Sequence, residues 1–201
     1  MEKINYQKKM EDIINNLDKV PRLLLHSCCA PCSSYVLTYL TKYFDITVLY
    51  YNPNIEPIDE YKKRKEEEIR FINEMDKVNS VDLLDCDWEH DKFIDMAKGL
   101  ENEPERGKRC YKCYELRLRK TCEVAKENNY DYFASTLTLS PYKNSDWVNE
   151  IGYNLEKELG VKYLCSDFKK KDGYKKSIEL SNKYNLYRQN YCGCIYSKPT
   201  E

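Results

Sequence analysis

Long apolar runs are missing from this sequence, and glycine is scarce. The longest largely apolar stretch, "ITVLYY", falls far short of the roughly 20 residues that cross a bilayer. The opening segment, "MEKINYQKKMEDIINNL", has no apolar stretch of the kind that marks a secretory signal. A soluble cytoplasmic protein with no membrane partner is expected. Six glycines occur in 201 residues, and none lies in the loop "HSCCAPCSS" that follows the first apolar run. That excludes a glycine-rich phosphate cradle there, because backbone amides could not close on a nucleotide. There is no repeat, low-complexity tract or Gly/Ser linker, so residues 1–201 read as one domain with residues 1–20 as an N-terminal helical extension. A chain of this length buries about 70% of its unfolded surface and needs no disulfides.

What the sequence has in quantity is cysteine and tyrosine, 10 and 19 residues. Clustered cysteines in a reducing compartment point to metal binding or redox chemistry. Seven fall in three tight groups: Cys28/Cys29/Cys32, Cys110/Cys113 and Cys192/Cys194. Cys86, Cys122 and Cys165 stand alone and read as packing residues. Net charge is −1, which selects no partner, but it is unevenly spread. The segments Phe168–Lys198 and Glu103–Lys120 carry local balances of +6 and +4, and these two segments hold the later cysteine groups.

The hydrophobic pattern alternates strand and helix. Helical spacing runs to about Lys19, then "RLLLHS" reads as a buried strand and 33–43 as a helix with Ser33 as its cap. Further strands are read at "ITVLYYN", "VDLLD", "YDYFAST" and "VKYLCSD". Helices are read from Ile58 to about Met75 and over 89–98, 111–129, 146–159 and 174–185. The fold class is therefore α/β, Rossmann-like, a mostly parallel sheet with helices on both faces. Ligands in such sheets gather beyond the carboxyl ends of the strands, which is where Cys28, Cys29 and Cys32 sit.

Cys110 and Cys113 open a helix three residues apart, so both thiols share a face, and the helix N-terminus with Lys108, Arg109 and Lys112 favours thiolates. In "YCGCIYS", Gly193 permits a backbone turn between two thiols. Seven clustered thiols exceed the four that one tetrahedral zinc or one [4Fe–4S] cluster takes, so two centres, or a cluster plus a reactive thiol, fit better. The radical spacing Cys-x3-Cys-x2-Cys is broken by Tyr35. A dithiol at Cys29 and Cys32 is conceivable but leaves the other groups unexplained. A zinc-stabilised RNA-binding module without redox activity is the alternative from another class.

The blocks "LLLHSCCAPC", "YYNPNI" followed by "EYKKRKEE", "KRCYKCYELRL", "TLTLSPYKN", "DFKKKDGYKKSIELS" and "LYRQNYCGCIYS" resemble the QueH-type epoxyqueuosine reductases. The resemblance runs from about Pro21 onward. It implies an adenine-nucleotide-hydrolase-like (HUP) topology without nucleotide use. It also implies reduction of epoxyqueuosine to queuosine at the wobble position of tRNA, independent of cobalamin, with a [4Fe–4S] cluster, an adjacent single metal (iron) and an external electron donor. Carried over, the ligands are the seven grouped cysteines. The expected partition gives Cys29, Cys32, Cys110 and Cys113 to the cluster and Cys28, Cys192 and Cys194 to the single metal. Family members can hold an aspartate where this chain has Cys32.

Such a reduction needs two electrons, two protons and something to stabilise the departing oxygen. Asp167 and Tyr191, near the last cysteine group, are the proton-donor candidates. His26 either tunes the first group or is a strand-end residue bonded to backbone. The basic, tyrosine-rich segment from Asp167 to Cys194 suits an RNA loop. "KKRK" at 62–65, with three glutamates after it, reads as charge pairing on a helix surface.

Overall fold

The computed structural model describes residues 4–198. The outermost residues of the expected 1–20 extension and of the 1–201 domain lie outside that range. Five strands form the sheet: β1 (Arg22–His26), β2 (Asp45–Leu49), β3 (Val81–Leu84), β4 (Tyr132–Ser135) and β5 (Lys162–Tyr163). All pair in parallel, in the order β3-β2-β1-β4-β5. The helices are α1 (Tyr6–Asn15), α2 (Ala30–Leu40), α3 (Ile58–Glu74), α4 (His90–Ala97), α5 (Lys108–Glu127), α6 (Ser145–Leu159) and α7 (Gly173–Lys183). None is long and apolar enough to cross a membrane.

Alternation along β1 builds a core on each face of the sheet. Leu23 and Leu25 join residues of α1, α2 and α3 on one side, while Leu24 joins Leu118 of α5 and Val148 and Ile151 of α6 on the other. The chain lays β2 and β3 on one side of β1, then returns to lay β4 on the other. Strand order therefore reverses between β1 and β4, and the crevice beyond their carboxyl ends is the place such a sheet offers a ligand.

Two helices begin earlier than the sequence pattern indicates. α2 starts at Ala30, three residues before the expected boundary, with extended Cys29 as its cap residue. Pro31 fits the first turn because no helical partner exists there for the N–H it lacks. Ser33 is not a cap; its hydroxyl donates back to the Ala30 carbonyl at 3.1 Å from inside the helix. α5 starts at Lys108, so Cys110 and Cys113 are both helical. At the other extreme, only two residues of the expected strand "VKYLCSD" pair with the sheet.

His26 closes β1 as a structural residue. It is fully buried, and its Nε2 donates to the Tyr51 carbonyl at 3.1 Å. The carbonyl can only accept, so Nδ1 is the unprotonated nitrogen and takes the Ser135 hydroxyl at 2.9 Å. One neutral imidazole thus links the ends of β1 and β4 to the segment after β2. Burial pulls its pKa down to about 3, with the Arg117 charge acting in the same direction. At the start of α7, Gly173 allows a close approach. A Cβ there would lie 1.8 Å from the Phe168 carbonyl oxygen and 2.7 Å from the Tyr35 ring.

Gly173→Ala is expected to lower stability by about 1–3 kcal/mol in urea unfolding, since a backbone carbonyl must move to admit the methyl. For His26, the unfolded chain takes up a proton below about pH 6.5 that the folded protein refuses until about pH 3. Stability therefore falls on acidification through that window, by at most about 1.4 kcal/mol per pH unit. His26→Gln removes this loss, so the stability advantage of wild type over the variant should shrink from pH 7 to pH 4. An advantage that stays constant would show that His26 accepts a proton while folded.

Candidate metal centre

Cys28 and Cys29 follow β1 directly, and Cys32 sits in the first turn of α2. Their three Sγ atoms lie within 4.8 Å of one another, with Cys28 and Cys29 at 3.8 Å. Thiols packed this closely and buried cannot all ionise. Cys28 is held well below the usual thiol range by the Cys29 and Cys32 thiols, which hydrogen-bond to its thiolate. The same bonds hold the other two protonated, Cys29 at about 12. Beyond β4, the Thr136 hydroxyl lies 3.4 Å from the Cys28 N–H and 3.7 Å from its Sγ.

The other four grouped cysteines meet at a separate small pocket of about 20 Å3, lined by Cys110, Cys113, Cys192 and Cys194. Cys110 and Cys113 come from the first two turns of α5, three residues apart on one face. Burial pushes Cys113 up to about 12, and it raises Cys110 and Cys194 as well. The Cys192–Cys194 segment is fixed by the loop before α3 and by α3 itself. The Gly193 carbonyl accepts the Glu56 N–H at 2.9 Å, and the Cys192 carbonyl accepts Arg64 Nη1 at 3.2 Å. Gly193 has φ +115°, and a Cβ there would meet Ile55 at 2.8 Å.

A cavity of about 390 Å3 joins the two thiol groups, with Cys28, Cys29 and Cys32 on one wall and Cys110 and Cys192 on another. Since Cys110 and Cys192 border both spaces, room for anything larger than a single ion lies on the side of that shared wall. Arg106, Lys143 and Arg188 line the cavity with Tyr142, Tyr174 and Tyr191. All seven grouped cysteines therefore border these two neighbouring spaces. Cys122 and Cys165 are buried in the core under α5 and α6, and Cys86 lies at its edge.

Of the two proton-donor candidates, Tyr191 borders the cavity, with its hydroxyl donating to the Glu56 carbonyl at 3.0 Å. Asp167 is not among the cavity residues; it pairs with Lys169 at 3.3 Å. The structure adds three cations that residue spacing does not single out. Arg117, four residues after Cys113, is 1% exposed; its Nε donates to the Cys113 carbonyl at 3.2 Å and its Nη2 has no partner among the described residues. Lys143 is drawn down by burial but more strongly up by the Cys192 and Cys28 thiols facing it. Arg64, within "KKRK", is 2% exposed rather than on the helix surface. It binds Glu60 at 2.6 Å and faces the Tyr191 ring. Beneath the Cys28–Cys32 loop, Glu68 is buried with neither carboxyl oxygen bonded among the described residues, and burial pushes it up to about 7.

The donor set is soft and sulfur-only, which suits iron–sulfur, zinc or a single thiolate-bound iron and not a hard oxygen-seeking cation. Residues 23–200 match the family model described as Epoxyqueuosine reductase QueH. An epoxyqueuosine reductase QueH of Staphylococcus epidermidis is 46% identical over 98% of this chain and 85% of its own length. That of Streptococcus pyogenes is 45% identical over 98% and 79%, and that of Thermotoga maritima 34% identical over 87% and 89%. The chain belongs to the QueH family of epoxyqueuosine reductases.

Proposed function

We propose that this chain, as a single cytoplasmic domain, reduces epoxyqueuosine to queuosine at the wobble position of tRNA. In that reading a [4Fe–4S] cluster and an adjacent single iron lie in the thiol-lined spaces, and electrons come from an external donor. The observation that carries the reading is the meeting of seven cysteines, drawn from the first, middle and last parts of the chain, around two neighbouring spaces that share a wall.

The donors fit these groups. Cys110, Cys113, Cys192 and Cys194 supply the four thiolates that a [4Fe–4S] cluster takes. Cys28, Cys29 and Cys32 supply three and leave a position open toward the larger cavity, the arrangement expected of a catalytic metal. This division departs from the one expected from sequence, which paired Cys29 and Cys32 with Cys110 and Cys113. Sulfurs within 4.8 Å of one another favour keeping the first group together. When bound, the cluster would relay one at a time the two electrons of the external donor that, with two protons, turn the epoxide into an alkene and water.

The chain's own part is charge and enclosure. Arg117 and Lys143 present positive charge to the cavity where the epoxide oxygen departs, and their withdrawal from bulk water strengthens that attraction. Tyr191 stays protonated, since burial raises its pKa, and its hydroxyl is the better placed proton donor of the two candidates. Arg64 holds the Cys192 carbonyl and stacks on Tyr191, so it orients both a ligand segment and that hydroxyl. Arg106 and Arg188 at the cavity, with the lysines of the basic segment, offer contacts for phosphates.

Anaerobically prepared Cys113→Ala is expected to lose the iron–sulfur absorption. Cys28→Ala should keep it while losing about one equivalent of iron and more than about 100-fold in turnover, beyond the usual effect of an outer-shell change. Loss of the absorption in Cys29→Ala together with its survival in Cys192→Ala would restore the partition expected from sequence. A colourless wild-type protein with stoichiometric zinc would sink the redox reading altogether. Binding of tRNA should weaken steeply with salt. Reversal of Lys169, Lys170 and Lys171 to Glu should flatten the log–log slope by up to about 2–3, roughly one for each phosphate left unneutralised. Filter binding at several salt concentrations checks this, and a salt-independent affinity would remove the electrostatic contribution.

A further inference from the structure

Outside the thiol-lined cavity, a recess with a volume of about 680 Å3 lies between α1, α2 and α7. Its floor comes from α2 and the turn that follows it. Tyr35 and Tyr39 lie one helical turn apart on α2, and Tyr43 continues the row from the turn beyond the helix end at Leu40. Their ring centroids are 6.2 and 5.7 Å apart in sequence order. All three are half-buried, with their inner parts packed on the core. Lys42, Lys171, Lys176 and Lys183 rim the recess, against Glu11 and Glu179. Lys171 pairs with Glu11 and Lys183 with Asp76, whereas Lys42 and Lys176 enter no ion pair among the described residues. Lys176 instead lies over the Tyr35 ring at 5.6 Å.

The recess is next to the reaction cavity. α7 is the ridge between them, with Tyr174 and Ser177 lining the cavity and Lys176, Glu179 and Lys183 lining the recess. A strand leaving the cavity over this one helix would arrive on the tyrosine floor.

We propose that this groove seats the RNA strand flanking the nucleotide held in the cavity, with phosphates against Lys42, Lys176 and Lys183 and ribose or base faces against Tyr35, Tyr39 and Tyr43. The inference rests on the RNA-substrate reading above and adds to it a second surface on the other side of α7. A row of aromatic rings edged by cations is what sequence-independent single-strand binding uses, because every base has a face to stack and every linkage a charge to neutralise. An acidic electron-carrier protein would satisfy the lysines and leave the aromatic floor unused, so RNA is the occupant that accounts for both features.

The test measures fluorescence anisotropy of a labelled anticodon stem-loop RNA across a salt series. It uses metal-loaded wild type, the double variant Lys42→Glu/Lys176→Glu, and Tyr39→Leu, which keeps apolar packing on the core but removes the ring. The double variant is expected to bind at least about tenfold more weakly, with a log–log salt slope smaller by about 1–2. Tyr39→Leu is expected to bind about fivefold or more weakly with its slope unchanged. Thermal unfolding and the iron–sulfur absorption of both variants should match wild type, which distinguishes weakened RNA recognition from misfolding. Wild type that binds the stem-loop, with variants that bind it equally well, overturns the groove and leaves the proposed function standing. Wild type that does not bind it overturns both. Variants that keep RNA affinity but lose reduction by an acidic flavoprotein or ferredoxin donor assign the groove to that protein instead, and overturn the proposal.

Discussion

Several thiolates gathered in one partly buried region repel one another, and at low dielectric that repulsion is severe unless positive charge is close. The arrangement of this chain follows from that constraint. Arg117 reaches from α5 to the boundary between the two thiol groups, Lys143 approaches from the segment after β4, and Arg64 braces the last group from α3. Arg64 and Arg117 are withdrawn from water and Lys143 is half-buried, so the two arginines would be costly alone. Arg64 is offset by Glu60, but the Arg117 Nη2 has no partner among the described residues. The Arg117 charge remains available to the thiol-lined space.

The loops bearing the grouped cysteines are held by hydrogen bonds from the scaffold. Neutral His26 bonds the end of β4 and the segment after β2, so the exits of three adjacent strands are tied together beneath Cys28 and Cys29. The Asn52 side-chain amide adds a bond to the Ser27 carbonyl at 2.8 Å. The last segment has little regular structure, yet Glu56, Arg64 and the Tyr191 hydroxyl fix it at three successive points. This bracing brings Cys192 and Cys194 to α5, some 80 residues away in sequence, with no strand pairing to do so. A positioned scaffold of this kind is what a reaction centre requires, since small errors in ligand placement are expensive in rate.

Much of the fold was legible because its signals are local. Five apolar runs with helices between them lead to a parallel sheet, and Gly160 after α6 and Gly99 beyond α4 end helices as their left-handed φ values allow. The start of α2 was misplaced because "CCAPC" looks like a loop, although a proline in a first turn is compatible with a helix. The spacing of the seven grouped cysteines sets them apart from packing residues, and they line the two neighbouring spaces. How they would divide between two groups is not a matter of spacing alone. Spacing tells which cysteines share a turn or a helix face, but which loops converge is set by strand order and by bonds such as Arg64 to Cys192. Burial of single charges was invisible for a related reason. Arg64 stands among lysines and glutamates in a sequence that otherwise describes a solvated helix, and Arg117 stands among surface charges of α5. Only the packed structure separates each from its neighbours.

Most of these thiols are kept protonated, Cys28 excepted. Burial pushes Cys113 up to about 12, and the bond to the Cys28 sulfur, with burial behind it, does the same for Cys29, which makes both poor nucleophiles and slow targets for oxidants. A bound cation reverses that balance, because it stabilises the thiolate more than burial disfavours it. The same withdrawal from water therefore serves two states. It keeps most of the sulfur unreactive when the site is unfilled, and it strengthens every charge interaction once metal and thiolates face each other. Glu68 fits this logic: were it ionised beneath the first group it would oppose the thiolates, and its burial, with a pKa of about 7, leaves a substantial part of it neutral at physiological pH. Arg117 and Lys143 then face sulfur with no ionised carboxylate between, while Arg64 is the one of the three cations that keeps a carboxylate partner, Glu60.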